Sequence, residues 1–103
     1  MSKVIDLTDE NFDENTKGDK PVLVKFGASW CPPCRVMVPV LEQLAKELSE
    51  TVTICDVDVD DSPDLAKRFG VKSIPHIIVL KDGKVESSNV GSCTKEKLLS
   101  LLK

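Results

Sequence analysis

Hydrophobic and polar positions alternate along this chain in two distinct rhythms, and together these predict nine elements. Val4-Ile5-Asp6-Leu7 reads as a short strand. Thr8 then looks like an N-cap, with Asp9 and Glu10 in the first turn of a helix running to about Lys17. Gly18-Asp19-Lys20-Pro21 breaks the chain. Val22-Leu23-Val24-Lys25-Phe26 is a near-continuous apolar run, the pattern of a central strand covered on both faces. Beyond Cys34 the rhythm changes: Met37, Leu41, Leu44 and Leu48, widened by Ala45, form the stripe of a long amphipathic helix. Pro39 falls inside it and predicts a kink.

Val52–Val57 is the next strand. Ser62-Pro63 is a helix start, with serine as N-cap and proline in the first turn, and Gly70 suits the stop. Ile77–Leu80 and Val85–Val90 flank Lys81-Asp82-Gly83-Lys84, whose Asp-Gly signals a hairpin. Thr94 caps a last amphipathic helix. The order β-α-β-α-β-α-β-β-α predicts an α/β fold, a mixed five-stranded sheet flanked by four helices.

Composition narrows the function classes. The 103 residues are 41% hydrophobic and 30% charged, which suits one domain with its own core, spanning 1–103. A formal net charge of -3 carries no basic excess, so nucleic acid is not an expected partner. No stretch is apolar enough to span a bilayer, and MSKVIDLTDENF lacks the pattern of a secretory signal. A cytoplasmic monomer is the expectation, with no membrane partner.

The candidate chemistry is Cys31-Pro32-Pro33-Cys34. Cys31 lies where a strand hands over to a helix, so it takes the N-cap, where free N–H groups and the helix dipole favour a thiolate. Cys34 lies within bridging reach on the same face. Pro32 and Pro33 fill positions where a missing N–H costs least, though each removes a donor that could face the Cys31 sulfur. A C-x-x-C also reads as half of a zinc site. Cys55, His76 and Cys93 stand singly and offer no second ligand pair, which favours redox chemistry. Cys55 reads as a buried apolar residue and Cys93 as an exposed thiol, inert or open to oxidation. His76 is either a titrating group or a structural strand-start residue.

KPVLVKFGASWCPPCRVMVPVLEQLAKE, DVDVDDSPDLAKRFGVKSIP, KDGKV and VGSCTKEKL together resemble the thioredoxin family along almost the whole chain. The resemblance implies a thioredoxin fold and the reduction of protein disulfides, with no cofactor. Disulfide-containing client proteins and a thioredoxin reductase are the implied partners. Residue by residue, it makes Cys31 the nucleophile and Cys34 the resolving thiol. Trp30 becomes the flanking aromatic and Pro75 the cis-proline beside the cysteines. Ile74 offers backbone groups to an extended client, and Gly91 leaves it room.

Several positions depart from the family pattern. Pro-Pro replaces Gly-Pro between the cysteines. Gly27 stands where a tryptophan or small residue is common, and His76 where threonine is usual. Lys25 takes the place of the family's buried aspartate, and Asp56 that of a lysine on the next strand. The charges look exchanged, which suggests a partly buried pair behind Cys34 in which Asp56 handles the proton and Lys25 tunes it. Alternatively Lys25 snorkels to solvent and Asp56 joins the acidic surface of Asp58, Asp60 and Asp61. Other functions remain open: a more oxidising disulfide oxidase or isomerase, a binding protein that uses the groove by Pro75 without turnover, or a metal or iron–sulfur carrier.

Overall fold

A computed structural model describes residues 3–103. Its elements are β1 (Ile5–Asp6), α1 (Phe12–Thr16), β2 (Val22–Gly27), α2 (Pro32–Leu48), β3 (Thr53–Asp58), α3 (Pro63–Arg68), β4 (His76–Lys81), β5 (Lys84–Val90) and α4 (Lys95–Leu101). The five strands form one sheet in the order β1-β3-β2-β4-β5. β1, β3 and β2 are parallel, while β4 runs antiparallel to β2 and β5 antiparallel to β4. This is the mixed sheet with four helices that the alternation predicts.

All six residues of β2 are buried, as a central strand requires. Successive side chains leave opposite faces of a strand, so its residues divide between two cores. Val22, Val24 and Phe26 join Val57, Ile78 and Leu80, together with Phe12 of α1 and Leu65 of α3. Leu23 joins Ile54, Ile77 and Val79, together with Met37, Leu41 and Leu44 of α2 and Leu98 of α4. Lys25 is two residues from Leu23 and shares its face, so a charge enters the layer beneath α2. Asp56 lies beside it, since Lys25 and Asp56 are direct register partners on neighbouring parallel strands.

The element ends show where local signals were outvoted. β1 is trimmed to two residues, and the first helix begins at Phe12 rather than next to Thr8. Thr8 still makes the reciprocal bonds of a cap: its N–H donates to Asn11 Oδ1 at 2.7 Å and its Oγ1 accepts from Asn11 N at 3.2 Å. They close a turn ahead of α1. Asp9, expected in that first turn, instead accepts from the N–H of Leu65 at 3.0 Å. That N–H belongs to the first turn of α3. Ser62 holds the N-cap position there but makes no side-chain cap bond. A carboxylate from a distant turn does the capping expected of the local serine.

Other stops and turns follow the sequence. Gly70 has φ +66, and the N–H groups of Gly70 and Val71 donate to Lys67 O and Ala66 O, the paired bonds of a Schellman stop. Asp82 and Gly83 have φ 53 and 78, as the two-residue hairpin turn demands. Thr94 Oγ1 accepts from Lys97 N at 3.1 Å, capping α4. Pro39 is exposed, and α2 continues through it to Leu48.

Candidate functional site

β2 ends at Gly27 and α2 begins five residues later, so the intervening turn presents Cys31 at the N-cap of a 17-residue helix. Cys31 N donates to Ala28 O, and Cys31 O accepts from Arg35 N, which fixes the residue at the strand–helix corner. Pro32 and Pro33 take the first two helical positions. They remove two of the N–H groups a helix start leaves unpaired, and Cys31 makes no side-chain cap bond at this end. Cys31 and Cys34 are joined as a disulfide, with Cα atoms 5.3 Å apart. Cys34 is 1% exposed and Cys31 is also buried, within a small cluster formed with Ala28, against which Val59 and Ile74 pack.

Behind Cys34 the two charges meet. Lys25, 3% exposed, places Nζ 3.3 Å from Asp56 Oδ1 and 3.5 Å from Asp56 Oδ2. The same ammonium donates to the carbonyl oxygen of Cys34 at 3.1 Å. Lys25 therefore stays inside rather than snorkelling out. Asp56 is 27% exposed, and opens onto a cleft of about 340 Å³ that Lys25, Gly27, Cys34, Arg35 and Asp58 also line. Burial pushes the Asp56 carboxyl above its ordinary value; the Lys25 ammonium pulls it back only in part, and Asp6 and Asp58 add to the upward push. Desolvation, not the Lys25 charge, decides the net direction.

The Ile74–Pro75 bond is cis, and Ile74 touches the cysteine cluster. Gly91 N donates to Pro75 O at 2.8 Å, tying the end of β5 to the proline, and its φ of +100 explains the glycine. Trp30 is 64% exposed, yet its indole Nε1 donates to Asp60 Oδ2 at 2.8 Å. Asp60 and Val59 were missed as neighbours of the site; no local pattern marks either. His76 is half-buried with its ring edge towards Phe26, centroids 6.3 Å apart, on the face away from Lys25.

Cys55 is fully buried, and its thiol is pushed up to about 12 by burial, with the Asp56 charge adding to it. Cys93 is half-buried against the α2–α4 core rather than exposed, and burial raises its thiol too, against a smaller opposing effect of Lys97. Among the described residues no group of three His, Cys, Asp or Glu side chains is placed to hold a metal ion. Nor is any of their helices long and apolar enough to cross a membrane.

Comparison with known proteins covers the same span. The family model described as thioredoxin matches residues 3–103. A thioredoxin of Alicyclobacillus acidocaldarius is 46% identical over 92 residues, 89% of this chain and 88% of that protein. One of Pseudomonas aeruginosa is 35% identical over 100 residues, covering 96% and 93%. The chloroplastic M-type thioredoxin of Zea mays is 37% identical over 103 residues, which is 99% of this chain but 62% of that one.

Proposed function

The chain belongs to the thioredoxin family, and on that premise we propose that it works as a reductant of protein disulfides in the cytoplasm, as a monomer recharged by a thioredoxin reductase. Its broader activity is thiol–disulfide oxidoreduction, carried by Cys31 at the N-cap of α2 with Cys34 in bonding reach.

In the reducing direction the Cys31 thiolate attacks one sulfur of a client disulfide and releases the other as a thiolate. Cys34 then loses its proton and attacks the Cys31 sulfur. The Cys31–Cys34 bond forms, the mixed disulfide breaks, and two electrons have passed to the client. Ile74, Pro75 and Gly91 receive the client backbone, with Trp30, Pro32 and Pro33 beside it. Asp56 takes the Cys34 proton by way of the cleft that both residues line. Its raised proton affinity brings a carboxylate nearer the range in which a thiol titrates.

Two measurements test this. Equilibration against a graded dithiol/disulfide buffer is expected to give a reducing potential; about 30 mV corresponds to roughly 1.4 kcal/mol, so the direction is readable. A strongly oxidising value replaces the reductant with an oxidase or isomerase. Rapid-mixing measurement of mixed-disulfide resolution against pH tests the base. Asp56→Asn is expected to slow it about a hundredfold and remove its acid limb, and an unchanged profile removes Asp56 from the reaction.

A further inference from the structure

Gly27 is unlike the other glycines of this chain. Gly18, Gly70, Gly83 and Gly91 all have positive φ, and a Cβ added to any of them would meet nothing within 4 Å. They are glycines for conformation. Gly27 has no such φ, yet a Cβ there would lie 3.0 Å from Cys34 Cβ, 3.0 Å from Lys25 Cε and 3.1 Å from Cys34 Sγ. It is a glycine for space, and the nearest atoms all belong to the two side chains that the site brings together.

Those neighbours differ in how they can yield. Cys34 Cβ is one bond from the backbone in the first turn of α2 and is tied to Cys31. Lys25 Cε is near the far end of a flexible chain. An added Cβ therefore displaces the lysine, and Nζ is the next atom along. That atom holds Cys34 O at 3.1 Å and Asp56 Oδ1 at 3.3 Å. We infer that Gly27 is a positioning residue, its missing side chain being the slot through which Lys25 passes beneath Cys34 to reach Asp56. Positions 25 and 27 then act as one unit, the large residue fitting because its neighbour two places on has no side chain.

The inference uses the same ion pair as the proposed proton transfer. Its test reads the pair rather than turnover, so either can fail without the other. The readout is the Asp56 carboxyl ¹³C shift followed against pH. Facing that carboxyl are Lys25 from β2, Asp6 from β1, Asp58 from β3, and Arg35 and Glu42 from α2, with Asp61 on the same cleft. Only Lys25 is moved by the substitution. Gly27→Ala is expected to shift the Asp56 titration upward. In a Lys25→Ala background, where the ammonium is already gone, the same substitution should leave it in place. No shift in the parent protein, or equal shifts in both backgrounds, overturns the inference. Should Gly27→Ala not fold, recovery of the fold in the Lys25→Ala/Gly27→Ala protein supports the coupling and failure to recover overturns it.

Discussion

Lys25 and Asp56 show how far one residue can be read ahead of its surroundings. A lysine in an apolar strand announces a cost, but it was the family resemblance that pointed to Asp56 as its partner. What the sequence does not carry is the balance between desolvation and attraction, because that depends on how much water reaches Asp56. The structure leaves it 27% exposed with burial still dominant. Lys25→Met removes the opposing charge, so Asp56 should rise further and the acid limb of the resolution rate should move to higher pH. Stability carries the same sign. A carboxyl raised on folding contributes fully below its unfolded value and loses that contribution as pH climbs through the folded one. Urea midpoints of Lys25→Met should therefore fall more steeply than those of the parent as pH rises from the ordinary carboxylate range through the raised folded value. Cys55 offers a separate check. With its thiol pushed up to about 12, it should resist iodoacetamide at neutral pH in the reduced, folded protein, with labelling followed by mass spectrometry; Cys31 should react first.

At the scale of elements, signals within about four residues were legible and longer ones were not. Thr94 caps its helix and Asp82-Gly83 turns its hairpin because both depend on the backbone immediately beside them. The start of α3 is different. Ser62-Pro63 has the right residues, yet Asp9 supplies the oxygen from 56 positions away. Nothing near Asp9 marks it as a cap, since only packing of the first turn against α3 brings the two together. Asp60 escaped for the same reason, its bond to Trp30 spanning 30 residues. Asp9→Ala should cost about 1 kcal/mol in chemical denaturation. Disulfide exchange should be unaffected, because α3 carries none of the reacting groups.

For the whole molecule, residues 22–26 announced a strand covered on both faces, but which helices cover which face, α1 and α3 one and α2 and α4 the other, shows only in the packing. It also locates the one charged side chain buried in this strand. Every other residue of β2 is apolar or glycine, and the lysine faces the helix that bears the cysteines. A buried pair of this kind is a weak source of stability. The Lys25→Leu/Asp56→Leu protein is expected to gain on the order of 1 kcal/mol in urea unfolding while resolving mixed disulfides more slowly. Greater stability with unchanged kinetics would make the pair ornamental.

The register that sets Lys25 directly beside Asp56 has a consequence for how such a chain can arise. The family resemblance implies the opposite order, aspartate on the central strand and lysine on its neighbour. Changing one position at a time from that order leads through Lys-Lys or Asp-Asp, or through a lone charge under the resolving cysteine, each of them costly. The two orders are thus neighbouring solutions divided by a barrier in sequence space.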